Sequence, residues 1–166
     1  MKINNTVEKT LDYITLSFFV ILLLLLTVNV FLRIVPIYNL SWFDDAVEFS
    51  FAWLVFLGAA NLWYKKEHSR VDFVPEKYKG KLAGYILDVT NEFFGLLFAL
   101  LFTYYGFVLF SRLTALSPIL QVPKKFFYLS MPVSGILMII YSIDHLIQDT
   151  RKLIKFTAKN KVEESI

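Results

Sequence analysis

The sequence predicts an all-α integral membrane protein with four transmembrane helices and both termini in the cytoplasm. Three observations carry this reading. Hydrophobic residues fill 57% of the 166 positions, with a mean hydropathy of +0.56, against roughly 45–50% apolar residues in a soluble domain. The excess, mostly Leu and Phe, is gathered into four long runs. Lys and Arg are distributed unequally between alternate connecting segments. A chain of this length is expected to form one membrane domain over residues 1–166. Cysteine is absent, which excludes disulfides and thiolate metal sites.

About 20 residues of helix cross the roughly 30 Å hydrocarbon layer. The first run spans about 13–35, and its centre, Phe18 to Leu26, is unbroken apolar sequence. It is too long for the hydrophobic part of a signal peptide, and no small-x-small cleavage site follows, so it is read as a retained span. The second run covers about 47–64, the third about 86–110 and the fourth about 126–147. In lipid every backbone polar group must be satisfied within the structure, and a helix does so alone. The alternation that a membrane β-strand requires is not seen.

Of the seventeen Lys and Arg, thirteen lie before the first run, between the second and third, or after the fourth. Only Arg33, Arg112, Lys124 and Lys125 fall in the other two connections or at their edges. Positive charge resists translocation. Both termini, the central loop and the basic tail 148–166 are therefore expected inside, and the acidic group Asp44, Asp45 and Glu48 outside. Tyr13, Trp42, Tyr64, Tyr104, Tyr105 and Tyr128 lie mostly near span ends, where amphipathic rings favour the headgroup layer. Trp53 lies mid-span and is expected to pack on another helix or face lipid tails.

Charged groups in a membrane are the first places to look for function. Asn29 and Arg33 share a helix face. Arg33 either snorkels to the outer headgroups or pairs with Asp44, Asp45 or Glu48, and the pairing is favoured because three carboxylates share its depth. Asp88, Asn91, Glu92 and Gly95 form a stripe that would suit a proton or cation path. The simpler reading places it at headgroup level or paired with Lys65, Lys66 or Arg70, and no charge follows from Phe93 to Phe102. Asp144 and His145 close the fourth span. His68 lies in the central loop, and two histidines this far apart make a weak metal site. A His68/Asp72 pair four residues apart arises easily by chance and is the weakest of the catalytic options. There is no nucleophile–imidazole–carboxylate set and no glycine-rich phosphate loop. Gly58 and Gly95 are expected to permit close helix contacts. Pro118 and Pro123 bracket an extended outer loop. Pro132, just inside the fourth helix, is tolerated there or kinks it. The tail from Arg151 to Lys161 mixes basic residues with Leu153, Ile154 and Phe156, and is expected to continue the fourth helix along the anionic inner leaflet.

The string Leu40-Ser41-Trp42-Phe43-Asp44-Asp45 leads into Trp53-Leu54-Val55-Phe56-Leu57-Gly58-Ala59-Ala60, followed by Glu67-His68-Ser69-Arg70-Val71-Asp72. Further on, Tyr128-Leu129-Ser130-Met131-Pro132-Val133-Ser134-Gly135 opens the last span. Together with Arg33, these strings resemble the small membrane subunit (DctQ-like) of tripartite ATP-independent periplasmic, or TRAP, transporters, over about residues 10–147. The sequence departs from the family pattern in having Asp-Asp where Glu-Glu is common, and Glu48 where a basic residue is common. The resemblance implies a subunit of the bacterial inner membrane with no cofactor, no enzymatic activity and no nucleic-acid partner. It implies a large permease subunit that carries substrate and sodium by an elevator motion, and a periplasmic substrate-binding protein. The small subunit would enlarge the static scaffold, with Arg33, Trp42, Asp44, Asp45, Gly58, His68, Asp72, Asp88, Glu92 and Pro132 as structural or partner-facing candidates. The overall similarity points to a sialic-acid system, although the motifs do not encode substrate. The competing expectation is an autonomous ion or proton channel using Asp88 and Glu92, perhaps with Asn61. It would need a polar face through the full depth of the bilayer.

Overall fold

The computed structural model describes residues 5–34, 42–65 and 82–163. The long apolar runs become helices that outreach the sequence-based spans: α1 (Asn5–Ile34), α2 (Phe43–Tyr64), α3 (Leu82–Arg112) and, after the one-turn α4 (Lys125–Tyr128), α5 (Ser130–Glu163). At 1.5 Å per residue, α3 and α5 are about 46 and 51 Å long, well beyond the hydrocarbon layer. The four long helices are each long and apolar enough to cross a membrane.

Local chemistry sets the helix ends. Asp44 and Asp45 occupy the first turn of α2, where carboxylates meet the positive end of the helix dipole. Pro132 has no N–H to give the carbonyl four residues earlier, Tyr128, so a rung of the ladder is missing where α4 meets α5, a local break at which Leu129 still keeps helical dihedrals. The Ser130 hydroxyl donates to the Phe127 carbonyl across that break at 2.7 Å. Beyond it α5 runs unbroken through Glu163, so the basic tail does continue the last helix.

Among the described residues the helix backbones adjoin in the order α1, α2, α5, α3. Helix α5 is central. It buries Ser130, Pro132, Ser134, Gly135, Met138, Tyr141, Ser142, His145 and Asp149 along its length. Among its described side chains helix α1 buries Leu11 and Leu22 alone, and it leans on α2. Two buried clusters fill the interior. Leu11, Leu57 and Tyr141 form one, and Ala60, Ala99 and Met138 the other.

The α3–α5 crossing depends on missing side chains. A Cβ on Gly106 would lie 3.1 Å from Met131 Cβ and 3.2 Å from Pro132 N, and one on Gly135 would overlap the Thr103 hydroxyl oxygen. The small Ala99 completes the contact. Close approach at Gly and Ala is how membrane helices gain dispersion energy, because lipid offers no hydrophobic drive between them.

Candidate partner interface and its polar anchors

The charged groups of the described chain gather at the two ends of the helices. At the end holding the 113–124 loop, Asp45 is only 2% exposed. One carboxylate oxygen accepts the backbone N–H of Ile119 at 3.1 Å and of Leu120 at 2.7 Å. Those N–H groups belong to a turn that no strand or helix satisfies, so Asp45 does the work of a cap. The loop also braces itself. Ser117 N donates to Val122 O, Val122 N to Ser117 Oγ, and Lys124 N to Ala115 O. Gln121 turns the chain with a positive φ of 53°, and its side-chain amide donates to the carbonyls of Ser117 and Pro118. Lys124 Nζ grips both oxygens of Glu48 at 3.0 and 3.1 Å. Hydrogen bonding to Glu48, against a smaller desolvation effect, raises the Lys124 pKa above the ordinary 10.5. The 113–124 loop is thus an organised turn, clasped to the start of α2 at two points. Its apolar residues Leu116, Ile119, Leu120 and Val122 remain exposed.

Two of the carboxylates expected for Arg33 therefore have other partners, Asp45 the loop and Glu48 Lys124. Arg33 belongs to α1, and its side chain lies outside the described residues. Asp44 is exposed. Trp42 stands just before α2, with its ring 4.8 Å from that of Phe43.

At the opposite end, where the termini lie, Asp12 of α1 accepts from Asn61 Nδ2 at 2.7 Å and from Lys65 Nζ at 2.9 Å. Glu92 lies 3.3 Å from His145 Nδ1, so α3 and α5 are joined by a carboxylate–imidazole contact. Asp88 and Glu92 both face inward and are half-buried, whereas Asn91 of the same stripe is exposed. The partners expected for this stripe were basic residues of the central loop. Lys65 holds Asp12, and Lys66 and Arg70 lie outside the described residues, as do His68 and Asp72. Among the described residues no group of three or more His, Asp or Glu could hold a metal ion.

Between the two ends the contacts are aromatic. Trp53 stacks on Phe18 at 6.1 Å, and its indole N–H reaches Phe126 O at 3.3 Å, which makes it a helix-packing residue. Trp63 keys three helices together. It stacks on Phe98 of α3 at 5.9 Å, lies 3.2 Å from where a Gly95 Cβ would be, and donates to Ser142 Oγ of α5 at 2.8 Å. At Gly58 a Cβ would find Thr15 Cγ2 at 3.7 Å, an ordinary contact. Pro132 is buried against Gly106. Sequence reasoning missed Gly106, the close-contact role of Gly135, which it met only within a longer string, and the clasp role of Lys124. The glycines lie at matching depths on α3 and α5, a signal that appears only once those two helices are paired.

What remains is surface. The outer faces of α1, α3 and α5 carry large apolar side chains, suited to lipid or to another membrane subunit. Residues 7–152 match the family model described as Tripartite ATP-independent periplasmic transporters, DctQ component. No curated protein matches the chain.

Proposed function

This chain belongs to the DctQ component family of tripartite ATP-independent periplasmic transporters, a family of transporter components and not of enzymes, and from that premise we propose that it is the static small membrane subunit of such a transporter in the bacterial inner membrane. It enlarges and steadies the scaffold of a large elevator-type permease subunit. The complex takes up an organic acid with sodium, after delivery by a periplasmic binding protein. A sialic acid is the substrate we favour. The observation that carries the passive role is the placement of charge. The described ion pairs sit at the two ends of the helices, and the middle of α3, Phe93 to Phe102, is uncharged. A conducting path needs polar groups through the full depth.

The test is sodium-driven uptake in proteoliposomes holding this chain, its large subunit and the binding protein. Omitting the chain should abolish uptake. Replacing Asp88→Asn and Glu92→Gln together keeps hydrogen-bonding capacity while removing charge, and should preserve most uptake. Loss of uptake in that double variant, with complex yield intact, would make the two carboxylates part of ion coupling and overturn the passive role. Ion currents from the chain alone would favour a channel.

A further inference from the structure

The 113–124 loop combines two properties that oppose each other in water. Its backbone polar groups are mostly paired within the protein, while its apolar side chains are open. From Ser117 to Val122 five residues carry an N–H, because Pro118 has none. Four of the five are bonded: Ser117 to Val122 O, Val122 to Ser117 Oγ, and Ile119 and Leu120 to Asp45. The carbonyls of Ser117 and Pro118 accept from the Gln121 amide, and Leu116 and Pro123 pair across the base as an antiparallel bridge. Leu116, Ile119, Leu120 and Val122 are nevertheless exposed, from 37% (Val122) to 50% (Ile119). A loop in water can leave its backbone to the solvent. A loop without water must satisfy its polar groups from the protein and can leave its apolar side chains uncovered.

Depth is a second, independent observation. Asp45 in the first turn of α2 and Lys65 at its C-cap lie twenty residues apart, about 30 Å along the axis. That equals the roughly 30 Å of hydrocarbon in a bilayer. Lys65 is tied to Asp12 in an ion pair about a third or more exposed on both sides, and such a pair belongs with the headgroups. One hydrocarbon thickness away, Asp45 and the two loop N–H groups bonded to it stand at the opposite boundary. Any tilt of α2 carries them deeper. Lys124 is held by Glu48, nearly one turn further along α2, so the clasp draws the loop alongside the helix. Exposed Arg112 and Lys125 flank the loop at its two roots. Neither meets a carboxylate among the described residues, and cations at this level suit lipid phosphates.

We propose that the loop is a membrane wedge. Leu116, Ile119, Leu120 and Val122 insert at the boundary between headgroups and acyl chains in the leaflet at that end of the helices, and Arg112 and Lys125 meet the phosphates. The partner is the phospholipid surface. At this depth phospholipid is the surrounding medium, and a protein occupant would have to displace it. The inference needs only that α2 crosses the bilayer, so it stands or falls apart from the transport role.

The chain has no cysteine, so Leu120→Cys can carry a single environment-sensitive fluorophore. The full chain is placed in vesicles of phosphatidylcholine with phosphatidylglycerol. Quenching is read from phosphatidylcholine bearing a nitroxide high on its acyl chain, and from iodide in the water. The ratio of lipid to iodide quenching should be at least fivefold higher at Leu120 than at Ala158→Cys, an exposed position on the tail of α5. Ile119→Cys, equally exposed, gives the same reading should the first variant not fold. A ratio equal to that at Ala158 would overturn the proposal. So would a lipid signal at Leu120 that vanishes when the large subunit or the binding protein is added, because the occupant would then be protein. Adding Arg112→Gln and Lys125→Gln to the labelled chain should lower the ratio at least twofold, and no change there would overturn the phosphate contacts.

Discussion

Helices α1 and α5 both cross the membrane as long apolar rods, yet they answer to different constraints. Helix α1 leans on one neighbour through Phe18, Asp12 and Leu11, and shows most of its surface outward. Helix α5 meets α2 and α3, buries small and polar side chains on both sides, and leaves one narrow isoleucine stripe uncovered. Hydropathy alone would rank α1 as the more important helix, since its centre is purely apolar. Packing reverses that order. In a bilayer, burial against lipid and burial against protein cost nearly the same, so what distinguishes helices is shape complementarity. Substitutions that test shape should therefore hit α5 hard and α1 lightly.

The largest effect is expected at the α3–α5 crossing. Gly135→Leu places a side chain into Thr103, and Gly106→Leu one into Met131 and Pro132. Each should cost at least the ~1–3 kcal/mol of an overpacked core and abolish recovery of folded protein in detergent. Gly58→Leu should do less, since the first atom of its side chain meets only ordinary contact with Thr15. Normal yields from Gly135→Leu would break the comparison at its strongest point.

Next comes the clasp. Asp45→Asn keeps an acceptor for the turn but removes the charge that strengthens both hydrogen bonds. Amide hydrogen exchange at Ile119 and Leu120 should rise about tenfold or more, the equivalent of ~1.4 kcal/mol of local opening, while exchange along α5 stays unchanged. Uniform loosening of the whole protein would show that the loop is not a separate unit.

The pH response of Lys124 is subtler. Its folded-state pKa is raised by Glu48, so its share of stability is fully present below the ordinary lysine value of 10.5. That share is lost as pH rises through the raised value. The melting temperature should therefore stay level from neutral pH to the alkaline limit and then fall, and Lys124→Met should flatten the alkaline fall. An earlier fall in the unaltered chain would point to another titrating group.

The smallest effect belongs to α1. Leu24→Ala, at an exposed position, should change stability by no more than about 0.5 kcal/mol. The Asp12–Lys65 pair, more than a third exposed on both sides, is worth at most about 1 kcal/mol.

The sequence made the four spans legible because long apolar runs have few structural alternatives in lipid. It also marked the tail as a continuation of the last span, while for Trp53 it left helix packing and lipid open, and for Pro132 a tolerated place or a kink. Helix ends were less visible. Residues 82–85 and 148–163 are helical although they exceed the hydrocarbon, because Tyr85 and Phe156 hold the two ends together with rings 4.8 Å apart, and hydropathy does not record that contact. The pairings of individual charges were least legible. Asp45 was expected to attract an arginine and instead satisfies two backbone N–H groups of a loop more than seventy residues away. A carboxylate has many solutions that differ by small energies, and only the third dimension selects among them.

The unbroken length of α5 has a mechanical meaning. Clamped near its N-terminal end by Ser130, Pro132 and Gly135, it is a lever about 51 Å long, and each degree of rotation there displaces the far end by roughly 0.9 Å. Tyr85 and Phe156 lie near that far end and act as the pointer of a gauge. A distance probe spanning those two positions would magnify angular play at the crossing that is too small to see at the crossing itself. Such a gauge would report whether the crossing holds its angle while a neighbouring subunit moves.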